Sequence, residues 1–284
     1  YGTEKDSTPA HTQNAIFTAN HSLLYFSKYW QAESRLLSLL RKRIKMNPHV
    51  PESSIVEKVL ETVLVEQPVL FGKETLSLAD EQKAAVLLSI SSPLLIITGG
   101  PGTGKTSVAV TLLRVLKRLG LAERPALAAP TGRAAKRLSE AVVNSLNSLE
   151  NLKQLPLEQK LLEDALEAKT LHRLLAYRPG THSFKHHEYD PLEHDLLIID
   201  EGSMIDQEMM SSLLGAANSE LPHQPSVPRI ILLGDAQQLP SVGNGAVLLE
   251  LTKNSSIPET VAIAENPLHI VRLLRSYRQE IGDA

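Results

Sequence analysis

Two groups of residues in this chain have types and spacing suited to phosphate chemistry. The first is Gly99-Gly100-Pro101-Gly102-Thr103-Gly104-Lys105-Thr106. Its glycines allow successive backbone N–H groups to curl around an anion, and a helix that starts directly afterwards aims its positive end at the same charge. In such a loop Gly100, Pro101, Gly102, Thr103 and Gly104 cradle phosphates, Lys105 reaches the outer ones, and the Thr106 hydroxyl is placed for Mg²⁺. The second group is Asp200-Glu201, at the end of the apolar run Leu196-Leu197-Ile198-Ile199. Asp200 suits Mg²⁺, directly or through water, and Glu201 suits general-base activation of a water. A third polar turn, Gly234-Asp235-Ala236-Gln237-Gln238, follows Ile231-Leu232-Leu233. There Gln238 could bond a γ-phosphate or the attacking water.

Strands must deliver these turns to one place. Near-continuous apolar runs at 94–98, 125–129, 195–199 and 229–233, separated by helical patterns, predict a doubly wound α/β domain whose parallel sheet is covered on both faces. Ligands of that class bind beyond the carboxyl ends of the strands, where all three turns fall. Before residue 76 the pattern differs. Ile16-Phe17-Thr18 and Leu23-Leu24-Tyr25-Phe26 around Asn20-His21 predict a short hairpin. A basic amphipathic helix is expected over 28–46, with Arg41, Lys42, Arg43 and Lys45 read as a solvated end, and another helix from Ser54 to Leu64. The division is therefore a small, mainly helical N-terminal domain over 1–75 and the α/β domain over 76–284. Residues 1–12 are expected to be disordered, and 145–169 read as a helical excursion without strand signal. Residues 178–194 read as a polar loop with His182, His186, His187 and His194, whose spacing does not suit a metal site.

The chain has 284 residues, 29 Lys and Arg, 32 Asp and Glu, and no cysteine. Disulfides, Cys-based zinc sites, iron–sulfur clusters and thiol catalysis are excluded, and a cytoplasmic setting is expected. With a net charge of −3, any nucleic-acid site must be a local patch. No apolar stretch approaches a membrane span, so no membrane partner is expected. The chain opens on Tyr1 rather than Met, which points to a piece of something longer.

Taken together the motifs resemble the superfamily 1 DNA helicases, and among them the RecD subunits of exodeoxyribonuclease V. Leu78-Ala79-Asp80-Glu81-Gln82 is similar to the Q-motif, 99–106 to motif I, and Ala129-Pro130-Thr131-Gly132-Arg133-Ala134-Ala135 to motif Ia. Thr170-Leu171-His172-Arg173-Leu174-Leu175 is similar to motif Ib, Asp200-Glu201-Gly202-Ser203-Met204 to motif II, Gly234 to Val242 to motif III, and Ser276-Tyr277-Arg278 to motif IV. The resemblance implies a RecA-like P-loop domain that binds ATP and Mg²⁺, with Gln82 reading the adenine edge and Arg278 acting on the γ-phosphate. Pro130, Thr131, Arg133 and His172 would contact single-stranded DNA without regard to sequence. Arg133 reads equally as a helix-surface charge and His172 as a packed residue. The resemblance also implies 5′→3′ movement in the parent protein, work in double-strand-break repair and recombination, and RecB and RecC partners, RecC through the N-terminal region. Gly202 stands where the family usually has Ala, a small change expected to have little effect. Motifs V and VI are not in the chain, so this piece is expected to hold phosphate without translocating. A stand-alone RecD-like helicase, a regulatory P-loop ATPase and an interaction module with an idle loop are the other readings.

Overall fold

The computed structural model describes residues 17–20, 23–66, 70–71, 74–75, 78–149, 152–163, 167–218, 228–238, 247–253 and 268–275. The expected disorder of 1–12 and the motif IV arginine, Arg278, lie outside them. The chain begins with an antiparallel hairpin, β1 (Phe17–Asn20) and β2 (Leu23–Phe26), then α1 (Ser27–Ile44) and α2 (Ser53–Glu61), which runs into a π-helical turn over Thr62–Glu66. A two-residue ladder, β3 (Leu70–Phe71) and β4 (Glu74–Thr75), precedes the main succession. That succession is α3 (Asp80–Ser91), β5 (Leu94–Gly99), α4 (Lys105–Arg118), β6 (Pro125–Ala129), α5 (Gly132–Asn147), α6 (Pro156–Glu163), β7 (Lys169–Thr170), α7 (Leu171–Leu174), the short pair β8 (Tyr177–Arg178) and β9 (Ser183–Phe184), β10 (Leu196–Ile199), α8 (Gln207–Ala217), β11 (Arg229–Gly234), α9 (Val247–Lys253) and β12 (His269–Leu273).

Six strands form one parallel sheet in the order β12-β5-β11-β10-β6-β7. The four predicted strands are all in it. The two edge strands were not expected from sequence. The stretch read as strand-free, 145–169, ends in β7, which pairs only with Ala128 and Ala129. The stretch read as a polar loop, 178–194, contains all of the β8–β9 hairpin except Tyr177. Both corrections have one cause. A two-residue strand or a tight hairpin buries too little apolar surface to leave a periodic signal, and its pairing comes from the neighbouring strand.

Alternation along the strands explains why they read as continuous apolar runs. Leu95, Ile97, Leu196, Ile198, Ile231 and Leu233 face one core, with α3, α4 and α5. Leu94, Ile96, Leu197, Ile199, Ile230 and Leu232 face the other, with α8 and α9. Leu36 and Leu40 of α1 belong to that second core. Burial on both faces removes the apolar–polar alternation that a half-exposed strand would show.

α1 is anchored by a charge. Arg41, Lys42 and Lys45 are exposed, as expected of a solvated helix end, but Arg43 is completely buried. The helical period puts it on the face of Leu36 and Leu40. Its guanidinium donates to the carbonyls of Pro93 (3.1 and 2.8 Å), Ala217 (3.2 Å) and Pro228. One side chain therefore ties α1 to the residue before β5, the end of α8 and the residue before β11. Burial and the nearby Arg229 charge pull its pKa down to about 9, so it stays charged at neutral pH. Arg229 does similar work, donating to the carbonyls of Ile90 (3.3 and 2.9 Å) and His49. On the other face, Glu158 of α6 accepts from Arg114 (3.2 Å) and Arg118 (2.7 Å) of α4. Exchanging Arg43 for Met keeps the apolar stem but strands three carbonyls. The loss should be on the order of 3–5 kcal/mol, because an unsatisfied buried polar group costs about 1–3 kcal/mol. Urea denaturation of Arg43→Met measures it, and a loss below about 1 kcal/mol would show that the clamp adds little.

Candidate functional site

Parallel register brings the three polar turns level. Gly234 pairs with Thr98 of β5, and Leu232 pairs with Ile199 of β10. β11 thus lies between the phosphate-loop strand and the strand that ends in the carboxylates, and all three finish at one edge of the sheet.

The loop between β5 and α4 takes its shape from glycine and from two local hydrogen bonds. Gly102 and Gly104 have φ of 81° and 82°, the left-handed region in which side chains are strained. The Thr103 hydroxyl donates to the Gly100 carbonyl (2.9 Å). At Gly99 a Cβ would stand 2.6 Å from Thr103 Oγ1, so the loop closes only over a residue without a side chain. Gln82, placed by α3, is buried to 1% exposure. Its Nε2 donates to the Thr103 carbonyl (3.0 Å) and its Oε1 accepts from the Ala79 N–H (3.0 Å). In this conformation Gln82 braces the loop from behind.

Lys105 opens α4. Its ammonium donates to the carbonyls of Gly99 (2.6 Å) and Gly100 (3.0 Å) and has no ion pair among the described residues. Burial pulls its pKa below the usual lysine value, while Asp200, Asp235 and Glu201 oppose that. Three carboxylates therefore lie within electrostatic reach of one ammonium. A cation held only by uncharged carbonyls of a phosphate-shaped loop is suited to leave them for an anionic oxygen, because a charge-assisted bond is stronger. The Thr106 hydroxyl is half-buried beside it.

On β10's extension, the Asp200 N–H donates to the Ala128 carbonyl (2.9 Å), and its carboxylate accepts from the Glu201 N–H (2.9 Å). Glu201 has φ of 53°, an uncommon conformation for a residue with a side chain. Burial raises the pKa of both acids; for Glu201 the neighbouring Asp200 raises it further, while Lys105 and Arg137 oppose. A water-holding base with a raised pKa is better matched to neutral pH than an ordinary carboxylate. Gly202 follows, and a Cβ there would lie 3.2 Å from the Leu233 carbonyl oxygen. Alanine at this position needs a shift of a few tenths of an ångström where β10 and β11 meet, a closer fit than the sequence suggested.

Two participants were not singled out from sequence. Asp235 is buried, accepts from the Gln237 N–H (3.0 Å), and acts on both Lys105 and Glu201. Its signal was its place directly after an apolar strand. Arg137, one turn beyond Arg133 on α5, acts on Glu201, and only the helix geometry reveals it. Gln238 is exposed, with its N–H on the Asp235 carbonyl (3.1 Å).

Pro130 and Thr131 lie just beyond β6. The Thr131 hydroxyl caps α5, accepting from the Ala134 N–H (3.2 Å), and Arg133 is exposed in the first turn. His172 is exposed on α7 and packs edge-on against Tyr177 (centroids 5.4 Å apart) and near Phe184 (5.8 Å). The four loop histidines are separately engaged. His182 meets the Tyr177 hydroxyl, His186 the Asp190 carbonyl, His187 the Tyr189 N–H and His194 the Arg124 carbonyl. No helix among the described residues is long and apolar enough to cross a membrane.

Residues 82–244 match the model of a family described as an AAA domain. The chain is 36% identical over 255 residues to the RecBCD enzyme subunit RecD of Mycolicibacterium smegmatis, covering 87% of this chain and 40% of that protein. It is 37% identical over 233 residues to the subunit of the same name from Haemophilus influenzae, covering 81% of this chain and 34% of that protein. To the ATP-dependent RecD2 DNA helicase of Deinococcus radiodurans it is 29% identical over 268 residues, covering 93% of this chain and 31% of that protein. The chain therefore spans well under half the length of these relatives.

The crowded carboxylates give a pH signature. A carboxyl whose folded pKa is raised weakens the fold wherever it is ionised. The penalty is absent below the unfolded pKa, near 4.5 for Glu201, and grows as pH rises through the folded value. Glu201→Gln should therefore melt higher than the native protein at pH 7, with the gain vanishing near pH 4. Thermal melts across that range test it. An equal or lower melting temperature at pH 7 would show that the acid is not held under strain.

Proposed function

The chain belongs to the AAA domain family and is RecD-like over most of its length, and on that premise we propose that it is the ATP-binding first motor domain of a RecD-type DNA helicase subunit. The observation that carries the reading is Lys105, held only by loop carbonyls and facing Asp200, Glu201 and Asp235 at one edge of the sheet. In this reading residues 76–284 are the motor domain. Residues 1–75 are an N-terminal element docked on it through α1.

Bound ATP would place its phosphates on the N–H groups of 100–106, with Lys105 exchanging its carbonyl partners for phosphate oxygens. Thr106 and Asp200 are a hydroxyl and a carboxylate, the hard oxygen donors that Mg²⁺ takes, and the ion would neutralise phosphate charge there. Glu201 accepts a proton from the attacking water. Gln238 and Arg278 are assigned to the γ-phosphate, and Gln82 to the adenine edge or, through Thr103, to holding the loop. Pro130, Thr131, Arg133 and His172 would meet a single DNA strand. Phosphate contacts and ring stacking serve every sequence alike, as a motor requires. The relatives' names further support RecB- and RecC-type partners.

In the full-length parent protein, Lys105→Ala should lower DNA-stimulated ATP hydrolysis by about 10³-fold, in the range seen when a preorganised charge is removed from a transition state, with the melting temperature little changed. Hydrolysis at the native rate would overturn the assignment. For the partners, deletion of 1–75 is a poor test because Leu36, Leu40 and Arg43 belong to the core. The exposed Tyr29 and Leu37 of α1 are the better probes. Tyr29→Ala with Leu37→Ala should reduce co-purification with RecB and RecC at least several-fold while the fold persists. Undiminished co-purification would remove α1 from the partner surface.

A further inference from the structure

β7 covers only the last two residues of β6, so the sheet's outer edge is open beside Pro125. A cavity of about 640 Å³ occupies that position. Apolar side chains of Leu161, Leu174 and Leu192 line part of it, and Arg124, Lys169, Arg173 and Lys185 supply positive charge. Four permanent cations gather here in a chain whose net charge is −3.

The nearby carboxylates are already committed or few. Asp195 uses both oxygens on the backbone N–H groups of Glu123 (2.8 Å) and Arg124 (3.0 Å), which fixes the rim on which Arg124 stands. Glu123 pairs with Lys117 (2.9 Å). Arg173 reaches Glu167 only at 4.0 Å, with both side chains largely exposed, a contact worth little in water. Glu193 is the other acid in the lining. Arg124, Lys169 and Lys185 have no ion pair among the described residues. Like charges lining one cavity repel one another, and an anion taken up there relieves that repulsion.

The same short unit carries aromatic rings. Arg173 neighbours His172, Ala176 neighbours Tyr177, and Lys185 neighbours Phe184. The three rings touch one another at centroid distances of 5.4–5.8 Å. Phe184 packs against the second core and backs the other two rings, while His172 and Tyr177 are exposed. Cations beside exposed rings match the two halves of a nucleotide, phosphate and base. We propose that this edge cavity is a phosphodiester-binding subsite, which takes the backbone of a single nucleic-acid strand whose neighbouring bases lie on His172 and Tyr177. The inference rests on the reading of the chain as a DNA motor. It extends the contact at His172 into the basic cavity at the outer edge of the sheet, away from the contacts after β6.

Fluorescence anisotropy with a labelled 20-nucleotide oligo-dT, titrated across salt concentrations, tests it. Lys169 and Lys185 are exposed, so Lys169→Gln with Lys185→Gln should leave the melting temperature unchanged. The pair should weaken binding on the order of tenfold at 0.1 M salt and reduce the log–log salt slope by about 1.4, the value for two lost phosphate contacts on a single strand. Lys28→Gln with Lys58→Gln, an exposed pair elsewhere on the surface, should change neither quantity. Native binding and slope in the Lys169/Lys185 variant would overturn the subsite while leaving the DNA-motor reading in place. An equal loss in the Lys28/Lys58 variant would also overturn it, since the effect would then be one of total charge. No binding by the native protein would overturn both readings. Competition separates the occupants. Inorganic phosphate and polyglutamate should displace the strand only weakly, and displacement by polyglutamate as effective as by unlabelled oligo-dT would assign the cavity to an acidic peptide instead.

Discussion

Backbone hydrogen bonds that hold β11 between β5 and β10 set the separation across which the phosphate loop and the carboxylate pair act. A parallel ladder has even spacing, so fixing Gly234 against Thr98 and Leu232 against Ile199 also fixes where Gly99, Asp200 and Asp235 leave the sheet. A register slip of one residue would reverse the faces of every side chain in β11 and place Ile231 and Leu233 in the wrong core. The site is therefore protected by the cores on both faces. Thr98 reinforces the register, because its hydroxyl accepts from the Ala236 N–H (3.1 Å) just past the end of β11.

The charges of the site are balanced within it, at some cost. Asp200, Glu201 and Asp235 repel one another in partly buried surroundings, and Lys105 is the shared counter-charge. That ammonium is simultaneously engaged by the loop's own carbonyls. Phosphate would bring negative charge to the N–H groups of the loop, and a divalent cation would bring positive charge to the carboxylates. Each half of the site thus carries the complement of one part of a metal-bound triphosphate. The raised carboxyl pKa values and the left-handed Glu201 are the local strain that such an arrangement stores.

Away from the site, buried arginines fasten the covering helices. Arg43 joins α1 to three carbonyls at the amino-terminal side of the sheet and the end of α8, and Glu158 joins α6 to α4. Guanidinium suits this work because its five donors fan out in one plane and can serve several carbonyls at once. α4, which carries Lys105 at its first turn, is thereby enclosed by the sheet on one side and the Arg114–Glu158–Arg118 group on the other. The phosphate loop is thus tied to that helix at one end and braced by Gln82 through the Thr103 carbonyl.

The amino-acid sequence by itself determined the phosphate loop, the carboxylate pair and the four central strands. Each of these depends on local requirements: glycine for φ near 80° at Gly102 and Gly104, and long apolar runs for strands covered twice. The tertiary structure alone decided what depends on distant partners. The edge strands β7 and β12 exist through pairing with β6 and β5. Arg43 reads as one of four solvated cations until the fold brings Pro93, Ala217 and Pro228 around it. Gln82 meets Thr103, and Asp235 and Arg137 meet Glu201, across separations in sequence that no local pattern encodes. The basic cavity at the sheet edge is assembled from residues scattered between Glu123 and His194, each an ordinary surface charge until the short β7 leaves a space that they surround.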